Sequence, residues 1–358
     1  MKIAIYGAQG IAFGAYLAIK EIYPEEKVVC FLVTTMDNNA VKLGGLPVVE
    51  LDRFVEQTSS IEEINVLIAT PESVMDEIEK SLEKVGIKHY IRLSSTKWEK
   101  LQELLYAKTK TFLPLNLYSK GIGRASVALY KMVHYKDKPL QKKYVYPNYV
   151  IPLQVGAVKT NKRVADLVDC EGDNISEKNG NFSELTGLYW IWKHVVEKNI
   201  NNDKSYTGII HYRRMFNFSD DDLLRLYDND IDVILPFPMP YEPNIEVHHE
   251  RYLSKKEWMA VRQALNEIQP EYAVAFKDVL KQGYLYNYNI ILAKNRVLSD
   301  YCAWLFPILF RIEEINDPMK KKDPNRYIGY ISETLETLYF MYNKNKLKIA
   351  YSGCRFLV

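Results

Sequence analysis

The stretch Thr207-Gly-Ile-Ile-His-Tyr-Arg-Arg-Met-Phe216 decides how this chain is read. Gly208, Ile209 and Ile210 form a short continuous apolar run, the pattern of a strand buried on both faces. The run then breaks into His211, Tyr212, Arg213 and Arg214. A second apolar strand, Ile231-Asp-Val-Ile-Leu-Pro236, follows after a polar loop. Open α/β sheets place their ligands at the carboxyl ends of such strands. Two adjacent arginines there suit a diphosphate, since each guanidinium presents a planar fork of donors with a fixed charge. A surface ion-pair cluster is the competing reading.

Before this stretch, Ser183 is placed to cap a helix reading Glu184-Leu-Thr-Gly-Leu-Tyr-Trp-Ile-Trp-Lys-His194. Leu185, Leu188, Tyr189 and Trp192 share one face of it, so its aromatics belong mostly to the core. Glu184 sits on the first turn, where the helix dipole favours a carboxylate. Further upstream, Asp169 to Asn179 is polar and turn-rich, a surface loop whose carboxylates do not follow the calcium-loop spacing. Ala125 to Val133 is strand-like and runs into His134-Tyr-Lys-Asp-Lys-Pro139. That exit is a place to hold a base and ribose, or a plain strand-to-loop passage. After the central stretch come Tyr286-Asn-Tyr-Asn289, an aromatic helix from Tyr301 to Glu313, and a charged loop from Asp317 to Arg326 that is expected to move over a site or to be a solvated turn. Gly329-Tyr-Ile-Ser-Glu333 is expected to open a last helix, 331–342. Glu333 at that helix start is either a general base for an acceptor hydroxyl or a capping residue.

The first hundred residues alternate strands with helices: Lys2–Tyr6, a helix to about Ile22, Val28–Thr34, Leu46–Val49, Val66–Ala69 and a helix over 74–85. That alternation predicts a parallel, doubly wound sheet. The turn Gly7-Ala-Gln-Gly10 opens a helix and could seat a phosphate, with Asp37 after the second strand. Gln9 and Ala12 stand where the dinucleotide fingerprint needs glycines, so the signal for a redox cofactor is weak. A docking role without nucleotide is the alternative.

At 358 residues the chain is long enough for two domains. These are expected at 1–110 and 125–358. A net charge of +2 gives no argument for nucleic acid. Tyrosine is abundant, at 27 residues, and its hydroxyl lets a packed ring keep a polar partner. Cys30, Cys170, Cys302 and Cys354 are too scattered for a zinc site or a disulfide framework. The expected setting is the cytoplasm, with no signal peptide and no membrane span.

Residues 145–345 resemble the uncharacterised domain of bacterial capsular and exopolysaccharide synthesis proteins, which are similar to glycosyltransferases. The resemblance rests on Ile151-Pro-Leu-Gln-Val-Gly-Ala157, Gly172-Asp-Asn-Ile-Ser-Glu-Lys-Asn179, the Glu184 helix, Gly208-Ile-Ile-His-Tyr-Arg-Arg214, Tyr286-Asn-Tyr-Asn289 and Arg326-Tyr-Ile-Gly-Tyr-Ile-Ser-Glu333. The first domain, with Gly45-Leu-Pro-Val-Val-Glu-Leu-Asp52, is similar to the Rossmann-like module found ahead of bacterial sugar-modifying enzymes. The resemblance implies a GT-A-like second domain. In that fold an acidic-headed helix precedes a strand ending in a metal-binding Asp-x-Asp. Here His211-Tyr-Arg-Arg214 stands at that position.

The expected activity is therefore transfer of a hexose, galactose in pyranose or furanose form, from a UDP-sugar to a lipid-linked surface glycan at the inner face of the membrane. Arg213 and Arg214 would replace the metal on the diphosphate, with manganese or magnesium as the alternative cofactor. Glu333 is expected to act in catalysis beside them. The donor contacts implied are His134, Asp173, Asn174, Asn179, Glu184, His211, Tyr212, Asn287, Asn289 and Arg326. Two other functions stay open: a non-catalytic assembly protein of the same pathway, and an NAD-dependent sugar-modifying enzyme using Gly7, Gly10 and Asp37.

Overall fold

The computed structural model describes residues 2–216, 218–317, 319 and 324–358. The chain forms two compact units: residues 1–112 with 239–242 and 358, and residues 113–238 with 243–357. The first is a parallel sheet of Lys2–Tyr6, Lys27–Val33, Leu46–Glu50, Ile64–Ile68 and Tyr90–Arg92. Their order in space is third, second, first, fourth, fifth, that of a doubly wound α/β sheet. Ala4, Tyr6, Val66 and Ile68 pack against Phe54, Ile78 and Leu82 on one face. Ile5, Phe31 and Val33 pack against Ala12, Ala15, Ile19 and Trp98 on the other. Helices on both faces bury both sides of the strands, which is why these read as apolar runs.

Gly7 has φ +121, and a Cβ there would lie 2.7 Å from the Ala69 carbonyl oxygen, so only glycine fits. Gly10 begins the helix Gly10–Ile22. A Cβ on it would meet Met239 Cε at 3.0 Å and Tyr241 at 3.1 Å. The segment 239–242 thus covers the helix start on which a phosphate would sit. Asp37 is an exposed turn residue that accepts a hydrogen bond from Thr35 Oγ1 at 3.3 Å.

The second unit is built on a mixed sheet ordered Ile349–Ser352, Val233–Pro236, Ile291–Lys294, Ser205–His211, Ser126–Val133, Val150–Gln154 and Leu167–Val168. Ile291–Lys294 is antiparallel to both its neighbours, and the other pairings along this path are parallel. Gly208 lets Ser205–His211 lie close to that strand, since a Cβ there would be 2.0 Å from the Ile291 carbonyl oxygen. Long helices, Asn295–Asn316 and Tyr327–Tyr342, pack with Tyr272, Tyr301, Trp304 and Tyr339 ring against ring. Much of the tyrosine excess is therefore core. Strand order reverses between Ser126–Val133 and Ser205–His211, where such sheets open a crevice at their carboxyl ends.

Three local expectations change. After His211 the chain does not leave the sheet but turns through Tyr212 and Arg213, so that Arg214 pairs with His211. The strand Arg214–Phe216 then pairs with Cys354–Phe356. Ser183, at φ +51, is not a helix cap, and the helix Leu185–Ile191 begins without one. The last helix starts at Tyr327, so Glu333 lies on its second turn rather than at its mouth. Of the expected mobile loop at 317–326, positions 318 and 320–323 lie outside the described residues. No helix among the described residues is long and apolar enough to cross a membrane.

Candidate functional site

A cavity of about 700 Å³ opens at the crevice. Its wall is made by residues at or just beyond the carboxyl ends of three parallel strands: Met132, His134 and Asp137, then Val155 and Lys159, then His211 and Tyr212. Asn179, Ser183, Glu184 and Arg326 close it from the helical side. The charged lining sets Lys136, Lys159 and Arg326 against Asp137 and Glu184, around two imidazoles. Burial lowers the proton affinity of His134 and raises that of Asp137. The Asp137 carboxylate accepts the His134 backbone N–H at 2.7 Å, which fixes the loop.

Behind this wall lies a polar network drawn from three distant segments. Asn289 Nδ2 donates to Glu184 Oε1 at 2.7 Å and to the Gly329 carbonyl at 3.2 Å. Asn289 Oδ1 accepts from Ser332 Oγ at 2.8 Å. His211 Nε2 stands 3.8 Å from Glu184 Oε1. Tyr288 and Asn289 both occupy the left-handed region, at φ +78 and +51. Non-glycine residues persist there only where the surroundings over-determine them, and such strain gathers at functional sites.

Arg213 and Arg214 flank the cavity rather than line it. Arg214 lies over the Tyr288 ring at 3.8 Å and near Phe356 at 4.8 Å. Arg213 lies over Tyr212, with Asp137 as its acidic neighbour. Each keeps a buried Nε with no hydrogen-bond partner. The cations on the cavity itself are Lys136, Lys159 and Arg326, and Arg326 Nε donates to Ser183 Oγ at 3.1 Å. Glu333 lies one layer deeper, accepting from Asn287 Nδ2 at 3.3 Å. Burial, with Glu184 nearby, pushes its carboxyl up to about 8. At neutral pH it is mostly protonated, because burial disfavours its charged form.

The structure brings His134, Asn179, Glu184, His211, Tyr212 and Arg326 onto one cavity, with Asn287 and Asn289 behind. It does not bring Asp173 or Asn174 there. Asp173 accepts from Tyr189 at the surface, and Asn174 closes its own loop through the carbonyls of Cys170 and Gly172. Nor is Asp169 a surface residue. It is fully buried and accepts from the Gly156 and Ala157 amides and the Ser176 and Thr186 hydroxyls. Lys159 and Asp137 escaped the sequence reading as site residues, being single charges in loops without a motif. Among the described residues no group of three His, Cys, Asp or Glu is arranged to hold a metal ion.

A family model described as a domain of unknown function, DUF4422, matches residues 128–345, which include the whole cavity wall. No curated protein matches. Among solved structures, the apo form of WbbM, a bifunctional glycosyltransferase, is similar with a TM-score of 0.54 and 27% identity. The match covers 64% of this chain and 45% of that one, so the chain spans less than half of its structural relative.

Proposed function

We propose, for a chain that belongs to the DUF4422 family, transfer of a hexose from a nucleotide diphosphate sugar to a glycan hydroxyl. The observation that carries this reading is the cavity at the sheet's switch point, where Lys159 and Arg326 face the imidazoles of His134 and His211. Fixed cations in a partly enclosed site stabilise the charge that develops on a departing diphosphate. They act without a metal in this proposal, and the flanking Arg213 and Arg214 add to the same field. The His134–Asp137 loop would hold the base and ribose. The likeness to a bifunctional glycosyltransferase supports the reaction class.

The donor we propose is UDP-galactose, and the acceptor a lipid-linked surface glycan reached from the cytoplasmic side. The test is a thermal-shift panel of nucleotide sugars, with EDTA and again with manganese, on wild type and Arg326→Ala. A ligand at a hundredfold excess over its Kd stabilises the native state by about 2.7 kcal/mol. A shift with one UDP-sugar in EDTA, lost in the variant, is expected. A shift that needs manganese would overturn metal independence, and no shift with any donor would overturn the transferase.

A further inference from the structure

The imidazole of His211 lines the cavity and keeps one nitrogen without a partner. Nε2 is buried and has no hydrogen-bond partner. The ring nevertheless bonds to the backbone of Tyr288, and that bond favours the protonated ring. A bond of that sense runs from a ring N–H to the Tyr288 carbonyl oxygen. A neutral ring that carries its proton on Nδ1 presents a lone pair at Nε2. The strained turn at Tyr288 is what delivers this carbonyl.

Glu184 completes the arrangement. Its Oε1, at 3.8 Å from Nε2, is too far for a hydrogen bond and near enough to stabilise an imidazolium once formed. The carboxylate cannot swing away, because Asn289 holds the same oxygen. Both His211 and Glu184 line the cavity. The charged groups facing the ring are Glu184 from the helix before the strand, Arg214 from the hairpin and Arg326 from the start of the last helix. Burial and the two arginines keep the ring neutral at neutral pH, against the pull of Glu184.

We infer that His211 is the general base of the proposed transfer, with Glu184 as its charge partner. This rests on the transferase reading above. The acceptor O–H bond breaks and its proton passes to Nε2. The acceptor oxygen bonds to the anomeric carbon, and the bond from that carbon to the diphosphate breaks with its electron pair leaving on UDP. The positive charge gained by the ring is met by Glu184. Direct displacement inverts the anomeric carbon.

The test uses the full chain with UDP-galactose, water serving as acceptor, and UDP release as the readout. His211→Gln should lower turnover by 10²–10⁴-fold, the usual worth of a positioned base, with UDP affinity within about threefold. In His211→Ala, added imidazole should restore part of the rate, which a merely structural histidine would not allow. Nitrogen NMR of labelled histidine should place the His211 proton on Nδ1 between pH 6.5 and 8, the signal being identified by its loss in His211→Gln. Wild-type turnover in His211→Gln, or a proton on Nε2, overturns the base and leaves the transferase standing. A wild type that releases UDP from no nucleotide sugar overturns both.

Discussion

Asn289 Nδ2 donates to Glu184 Oε1 at 2.7 Å, joining residues 105 positions apart. The donor stands at φ +51, a conformation that costs roughly 1–2 kcal/mol for an L-residue. Asn289→Ala keeps the strain and removes both donors and the acceptor for Ser332, and should destabilise the fold by about 2–4 kcal/mol. Asn289→Gly loses the same bonds but relaxes the backbone, and should be less destabilised than the alanine variant by about 1 kcal/mol. Urea unfolding of the two variants decides it. A glycine variant weaker than the alanine one would show that the left-handed turn carries no strain.

The two sets of cations should respond differently to truncation. Lys159 and Arg326 line the cavity, so Lys159→Ala and Arg326→Ala should each weaken UDP binding by about tenfold, or about 1.4 kcal/mol. Raising the salt should shrink that difference. Arg214 is stacked between Tyr288 and Phe356, so Arg214→Ala should cost stability first, about 1–2 kcal/mol. Calorimetric UDP titrations at two ionic strengths, beside melting curves, separate the two behaviours.

The parts of this arrangement that were legible in the sequence are those with a local signal. Gly208–Ile210 and Val233–Leu235 are buried on both faces, so each reads as an unbroken apolar run. His211, Tyr212 and Glu184 were found because they follow or precede such runs. The turn at Tyr212 and Arg213 carries no glycine, proline or asparagine, and its strand pairs with Cys354–Phe356 far along the chain. Nothing local could announce it, and the arginines were therefore aimed at the cavity. Asp169 lies in a polar, turn-rich stretch, yet four donors pull it inside. The segment 239–242 joins the first unit from the middle of the sequence, so the cover over Gly10 was equally invisible.

Glu333 makes stability fall as pH rises. Its folded carboxyl titrates near 8, above its ordinary value of 4.5. Between these values the unfolded state has lost the proton and the native state still holds it, so the native state binds more protons and is weakened by each step upward. The contribution is fully present below about 4.5 and is lost as pH passes through about 8. Glu336, 1% exposed and also raised well above its ordinary value by burial, pushes the same way. Wild type should therefore lose urea resistance from pH 5 to pH 8. Glu333→Gln should lose less of it, while the Glu336 share persists. Equal losses in the two proteins would place the Glu333 titration in the ordinary carboxylate range.

Asp169 shows how the cavity is held in shape from outside its wall. Its Oδ2 accepts the Gly156 amide at 2.9 Å and Thr186 Oγ1 at 2.6 Å, and its Oδ1 accepts the Ala157 amide at 3.0 Å and Ser176 Oγ at 2.6 Å. One carboxylate thus ties the loop before Lys159 to the helix that carries Glu184. Asp169→Ala leaves these four donors buried without it and should cost about 3 kcal/mol or more. Asp169→Asn is nearly the same size, yet its amide turns two hydrogens toward groups that already donate, and it should cost almost as much. Because the tie positions both Lys159 and Glu184, both variants should also weaken UDP binding under conditions where they remain folded. Chemical unfolding and UDP titration on the same samples test the pair. An asparagine variant as stable as wild type would mean that the four donors find other acceptors and that the carboxylate is not what shapes the wall.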